Sequence, residues 1–84
     1  MFRVVFKDFD QSFDRWTDAL DAGNKLKPKC RSLLNDIRIS ENGQVIWVYS
    51  RSHVHPMYMG PGTYDRLVKL FVKENTEAEA DEII

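Results

Sequence analysis

The dipeptide Asn42-Gly43 constrains the fold of this chain more than any other feature, because it separates two segments rich in β-forming residues, 36–41 and 44–49. Asn and Gly both tolerate positive φ, which a two-residue type I′ hairpin turn requires at both central positions. The turn then sets the register of the hairpin. The predicted cross-strand pairs are Glu41 with Gln44, Ser40 with Val45, Ile39 with Ile46, Arg38 with Trp47, and Ile37 with Val48.

This register predicts two different faces, since successive side chains of a strand point to opposite sides. One face is aliphatic and carries Ile37, Ile39, Ile46 and Val48. The other is basic and aromatic and carries Arg38, Val45, Trp47, Tyr49 and Arg51, joined by Arg3, Val5 and Lys7 if the first strand pairs alongside. We expect the aliphatic face to pack against helices and the basic and aromatic face to be available for binding.

Apolar periodicity predicts the remaining elements. In residues 2–7, Phe2, Val4 and Phe6 alternate with the basic Arg3 and Lys7, as in a half-buried strand, and Val5 is the exception on the polar side. A first helix is predicted from about Asp10 to Ala22, on the helical spacing of Phe9, Phe13, Trp16 and Leu20, with Gly23 at its end. A second, short helix is predicted to begin at Pro28, on the spacing of Cys30, Leu33, Leu34 and Ile37.

A third helix is predicted from Thr63, a favourable capping residue, to about Glu74. Its apolar stripe consists of Tyr64, Leu67, Val68 and Phe71, and Leu70 and Val72 widen it. An apolar arc of this width indicates a helix that is sunk deeply in the core or shared with a partner.

These elements predict the α+β class, with a small antiparallel sheet of about three strands, the order β-α-α-β-β-α, and helices packed on one face. A chain of 84 residues has room for one domain, which we assign to residues 1–74. Residues 75–84 are polar and acidic and are predicted to form a flexible, disordered tail.

Charge and cysteine content indicate the compartment. The net charge of −1 gives the chain no overall basic bias toward nucleic acid. The single cysteine, Cys30, excludes an internal disulfide and fits a reducing compartment, by default the cytoplasm. The longest apolar run, residues 45–49, is far shorter than the roughly 20 residues needed to cross a membrane, and the first residues do not resemble a secretory signal. We therefore expect no membrane partner.

No pattern of residues predicts catalysis, a cofactor or a metal site. His53 and His55 could lie on one side of an extended segment, but no third ligand is near them in the sequence. The segment Gly60-Pro61-Gly62-Thr63 lacks the lysine of a phosphate-binding loop and is better explained as a turn and a helix cap. No nucleophilic triad is evident. We expect the chain not to be an enzyme.

The leading functional hypothesis is a non-catalytic protein-interaction or regulatory module that binds a protein partner or a second copy of itself through the basic and aromatic sheet face. Aromatic, Met and Arg side chains are enriched at protein interfaces. The predicted partner-binding residues are Trp47, Tyr49, Arg38, Val45, Arg51, Tyr58 and Met59. Homodimerisation through this face or through the last helix is the simplest version.

The alternative is a small RNA-binding or single-stranded-DNA-binding protein that uses the same face, with bases stacked on its aromatic rings. The phosphate-binding residues would be Arg3, Lys7, Lys25, Lys27 and Lys29. A separate stripe of four aspartates, Asp10, Asp14, Asp18 and Asp21, would suit a basic protein partner. It is also the polar face that an amphipathic helix needs in any case.

Overall fold

The computed structural model describes residues 1–32 and 35–83, with side chains described as far as residue 76. The elements in chain order are β1 (Phe2–Phe6), β2 (Phe9–Phe13), α1 (Trp16–Leu26), a 3-10 turn (Lys27–Lys29), β3 (Ile37–Glu41), β4 (Gln44–Tyr49), β5 (Met57–Tyr58) and α2 (Thr63–Ile83). The five strands form one antiparallel sheet in the order β2-β1-β3-β4-β5. The α+β class is as predicted, but the strand number and the element order differ.

The first predicted helix is wrong at its start, because residues 9–13 form strand β2. A two-residue turn joins β2 to β1, with a positive φ of 50° at Lys7. Phe9 and Phe13 are four residues apart, a spacing that puts them on one face of a helix and also on one face of a strand. Periodicity alone therefore could not distinguish the two. Helix α1 begins only at Trp16 and continues past Gly23 to Leu26.

The second predicted helix is also wrong over the described residues. Only Lys27–Lys29 are helical, as a 3-10 turn with Pro28 near its start, and Ile37 already begins β3. The Sγ of Cys30 is buried and donates a hydrogen bond to the carbonyl oxygen of Asn35 over 3.2 Å. Leu33 and Leu34, which contributed to the prediction, lie outside the described residues.

The hairpin turn at Asn42-Gly43 is confirmed, with φ of 52° and 81° at its two residues. The first two pairs, Glu41 with Gln44 and Ser40 with Val45, are as predicted. Beyond them Ile46 is an extra residue in β4, a β-bulge, so that the next pairs are Ile39 with Trp47, Arg38 with Val48, and Ile37 with Tyr49. The insertion of one residue moves every later side chain to the other face. The predicted register is therefore wrong beyond Ser40.

The core lies between the two helices and one face of the sheet. Its sheet residues include Phe2, Val4, Phe6, Ile37, Ile39 and Trp47, and its helix residues include Trp16, Ala19, Leu26 and Leu67. A chain of aromatic contacts crosses it. The ring centroids of Phe2 and Trp16 are 5.6 Å apart, those of Trp16 and Tyr58 6.3 Å, and those of Tyr58 and Tyr64 5.0 Å.

A carboxylate from α2 caps the start of α1. The residue at the N-cap of α1, Arg15, provides no side-chain cap. Instead the buried carboxylate of Glu74 accepts hydrogen bonds from the backbone N–H of Trp16 over 3.1 Å and of Thr17 over 2.8 Å. These are N–H groups that have no partner within their own helix, and the negative charge suits the positive end of the helix dipole. The capping bonds therefore join α1 directly to α2.

Helix α2 begins at Thr63, as predicted, and extends to Ile83. Residues 75–83 thus lie in α2, where the sequence predicted a disordered tail. None of the helices in the described part of the chain is long and apolar enough to cross a membrane.

Candidate functional site

Trp47, the centre of the predicted binding face, lies in the core. Its side chain has no exposed surface, and it packs under α1, where Gly23 has no side chain to obstruct it. Tyr49 also points to the helix side, opposite Ile37, and the Nζ of Lys27 lies 5.3 Å from the centre of its ring. The predicted placement of both aromatic residues on the free face is therefore wrong, and the bulge at Ile46 is the reason.

The other side of the sheet, which we call the open face, is not covered by either helix. From β2 to β5 it carries Asp10 and Ser12, Arg3 and Val5, Arg38 and Ser40, Val45 and Val48, and Met57. None of these described residues is aromatic.

The arginines of the open face already have acidic neighbours. The Nε of Arg3 donates to Oδ1 of Asp10 over 2.8 Å, and Arg38 lies 3.8 Å from the carboxylate of Asp36. The Arg3 guanidinium holds the pKa of the Asp10 carboxyl below its ordinary value, mainly through this hydrogen bond. The open face thus has neither the stacking rings nor the free cations that the nucleic-acid hypothesis required.

The other predicted site residues are dispersed. Arg51 is exposed and donates to the carbonyl oxygen of Arg31 over 2.9 Å. The backbone N–H of Met59 donates to the carbonyl oxygen of Ile46 over 2.9 Å, which holds the bulge residue against the end of β5. Lys7 lies in the β1–β2 turn.

The predicted lysines stand apart from the open face. Lys25 is in α1 and pairs with Asp21 over 3.0 Å, while Lys27 and Lys29 are in the 3-10 turn. Among the residues that the structure describes, no three potential ligands come together as a metal site, around His53 and His55 or elsewhere.

Helix α2 presents a stripe of large apolar side chains to solvent. We call it the α2 apolar surface and define it by Tyr64, Val68, Phe71 and Val72, which are 59%, 41%, 39% and 57% exposed. Their spacing of three and four residues places them along one side of the helix. The width of the predicted apolar arc was the sequence signal for this surface.

A groove of about 210 Å³ runs beside the α2 apolar surface, between α2 and α1. Trp16 and Leu20 of α1 and Tyr58 of β5 complete its walls. Burial raises the pKa of the Tyr58 hydroxyl above its ordinary value. The neighbouring Trp47 indole opposes the effect of burial and lowers the pKa of Tyr58 by a smaller amount. Its Nε1 has no hydrogen-bond partner among the described residues.

A second, larger groove lies at the far edge of the sheet, between β2 and α1. We call it the edge groove; its volume is about 530 Å³. Phe9, Gln11 and Phe13 line it from β2, Asp18, Asp21, Ala22, Lys25 and Leu26 from α1, and Lys29 from the 3-10 turn. The sequence did not predict this groove, because residues 9–13 were assigned to a helix.

A comparison of this chain with protein families, curated proteins and solved structures finds no match.

Proposed function

We propose that this chain is a non-catalytic protein-interaction module of the cytoplasm and that it binds a protein partner through the α2 apolar surface. The observation that carries the proposal is the exposure of Tyr64, Val68, Phe71 and Val72 in one stripe. Contiguous apolar patches with a polar rim mark interaction sites on soluble proteins. The rim here is charged: Asp65, Lys69 and Lys73 follow on the next side of the helix.

The groove beside the stripe gives such a partner a place to anchor. Binding energy at interfaces concentrates where an apolar side chain enters a dry pocket, often next to aromatic residues. Tyr64, Phe71 and Tyr58 line the groove with aromatic rings. A partner helix with apolar side chains three and four residues apart would fit both the stripe and the groove.

This surface replaces the basic and aromatic sheet face of the sequence hypothesis. The open face carries charged and hydroxyl side chains, such as Arg38 and Ser40, beside its exposed apolar residues Val45 and Met57. A surface for a protein partner needs large apolar side chains that are exposed together. The stripe on α2 meets this requirement, and the open face does not.

The test is an affinity purification from native extract with two matched double variants. Val68→Ser with Val72→Ser removes apolar area from the stripe. Lys69→Ser with Lys73→Ser is the control: it introduces two serines into the same helix, but on the neighbouring charged side. All four residues are exposed, so thermal unfolding of both variants should stay close to that of the wild type.

We expect proteins that bind the wild type and the lysine variant to be lost, by at least tenfold, from the valine variant. Equal capture by both variants would contradict the proposal. The eluates should also be treated with nuclease and analysed for nucleic acid. Capture that depends on nucleic acid and falls steeply with salt would instead support the RNA or single-stranded-DNA alternative.

A further inference from the structure

The two edges of the sheet differ in how well they are protected. One edge is β5, which has only two residues. The other is β2, which has five residues and pairs only with β1. Edge strands are usually protected by proline, lysine, a bulge or a covering element, because their free backbone groups invite another strand. β2 contains no proline or lysine, and it pairs with β1 without a bulge.

The register shows which backbone groups of β2 are free. The two-residue turn makes Phe6 and Phe9 a hydrogen-bonded pair, and hydrogen-bonded pairs alternate along an antiparallel ladder. Phe9, Gln11 and Phe13 therefore direct their N–H and C=O groups to β1. Asp10 and Ser12 direct theirs outward, where no described residue meets them.

These free groups complement a second copy of the same strand. In an antiparallel pair with a two-fold axis at Gln11, Asp10 of one copy lies opposite Ser12 of the other, and Ser12 lies opposite Asp10. Both residues of each pair offer an outward N–H and an outward C=O, so two complete hydrogen-bonded pairs form. Asp10 lies opposite a serine, so no two like charges of β2 are directly opposite each other. The Asp10 carboxylate is in addition paired with Arg3 of its own chain.

The side chains that the two β2 strands carry on the helix side of the sheet also fit together when the copies are related by this two-fold axis. Phe9 of one copy would lie opposite Phe13 of the other on the helix side of the sheet. Helix α1 packs over β1 and its neighbours. The two β1 strands would be three strand spacings apart, or about 14 Å, which is wider than the 8–10 Å between helices in contact. The half-exposed Phe9 and Phe13 side chains, two from each copy, would fill this gap.

The charges of the edge groove favour a second copy as well. Only two residues join β2 to α1, so α1 runs back along β2 and its acidic start lies near Phe13. Lys25 and Lys29, towards the other end, line the same groove as Phe9. The two-fold axis brings the Asp18 end of one copy beside the lysine end of the other. Asp18 and Lys29 are exposed and have no ion-pair partner among the described residues.

We propose that the β2 edge is a homodimer interface, in which two copies join β2 to β2 antiparallel and form one continuous ten-stranded sheet. The self-complementary backbone, phenylalanines and charges are what a two-fold interface requires of a single surface. This inference uses a different surface from the α2 apolar surface and does not depend on it.

The test compares Ser12→Pro with Ser12→Ala by sedimentation velocity over a range of concentrations. Proline removes the outward N–H of residue 12 but no bond to β1, and prolines are tolerated at edge positions of this kind. Alanine keeps the N–H. We expect the alanine variant to dimerise like the wild type and the proline variant to dimerise at least about tenfold more weakly, since each dimer loses two hydrogen bonds. Equal dimerisation of the two variants would refute the interface.

A charge exchange tests the proposal independently of the backbone change, which matters if Ser12→Pro fails to fold. Asp18→Lys and Lys29→Glu each place like charges across the axis, so each variant alone should dimerise several-fold more weakly at low salt. An equimolar mixture of the two variants restores opposite charges at both ends and should form a heterodimer. A mixture that associates no better than its components would count against the antiparallel arrangement.

Val68→Ser with Val72→Ser distinguishes this proposal from the first one. This variant should dimerise like the wild type, even where it loses a protein partner. If it becomes monomeric while Ser12→Pro stays dimeric, a second copy binds the α2 apolar surface and the β2 interface is wrong. A wild type that is monomeric at every concentration would refute the homodimer. So would a Ser12→Pro variant that dimerises normally but no longer binds a different protein in the affinity purification, because β2 would then bind that protein and not a second copy.

Discussion

The two faces of the sheet differ in composition and in environment: the covered face carries most of the sheet's apolar side chains, whereas the open face mixes valines and a methionine with charged and hydroxyl side chains. On the covered face Trp47, Ile39 and Val4 are fully buried under the helices. On the open face Val5 and Val48 are only half-buried, beside Arg3 and Arg38. An aromatic residue that the hairpin register pairs with an arginine, as it paired Trp47 with Arg38, is therefore no guide to a binding surface. One bulged residue decided which face received the tryptophan.

The largest expected effect is that of Trp47→Ala. Removal of a fully buried tryptophan should lower the free energy of unfolding by about 3–5 kcal/mol. Its control is Val45→Thr on the open face, which keeps a branched side chain at a position that is 39% exposed and should change stability by no more than about 0.5 kcal/mol. Chemical denaturation measures both. Similar stability of the two variants would mean that Trp47 is not in the core.

The next effect is that of Gly23→Val, on the helix that covers Trp47. A Cβ atom at residue 23 would lie 3.2 Å from the Trp47 ring and 3.4 Å from Cδ1 of Ile39. The further methyl groups of valine have no room there, so we expect a loss of about 1–3 kcal/mol from overpacking. The same change at Lys25, on the exposed side of α1, should cost much less. A Gly23→Val protein as stable as the wild type would show that α1 does not press on the sheet here.

Glu74→Ala tests how α1 is held over the covered face. The variant loses both capping bonds to the start of α1, and we expect a destabilisation of about 1–2 kcal/mol. Lys73→Ala, one residue earlier and exposed, is the control. Amide hydrogen exchange should show faster opening of the first turn of α1 in the Glu74 variant alone. Unchanged exchange in that turn would argue against the cap.

The smallest effect concerns the ion pair of Arg3 and Asp10 on the open face. The pKa of Asp10 is lower in the folded protein than in the unfolded chain, so the pair stabilises the fold above the unfolded pKa, and this contribution is lost as the pH falls through the folded pKa. Because both groups are exposed, salt should weaken it. An NMR titration should find that Arg3→Gln raises the pKa of Asp10, whereas Arg38→Gln leaves it unchanged. A shift of the same size in both variants would contradict a specific pair.

Local signals in the sequence predicted those elements that depend on neighbouring residues. The strand at residues 2–7 was predicted from alternation, and the Asn42-Gly43 turn from its need for positive φ. The start of α2 at Thr63 was predicted from capping, and its broad apolar arc indicated the surface that is now the candidate binding site. Strand β2 was missed because its two phenylalanines fit both periods equally well.

The sequence by itself therefore determined the α+β class, the hairpin and the amphipathic last helix, because propensities, turns and periodicity act over a few residues. Only the tertiary structure decided the bulge at Ile46, since its stabilising contacts come from distant parts of the chain. The N–H of Met59 binds the Ile46 carbonyl, and Gly23 leaves room for the Trp47 ring. The same long-range packing left the edge of β2 free. Both candidate surfaces, the α2 apolar surface and the edge of β2, are parts of the helices and the sheet that the core leaves exposed.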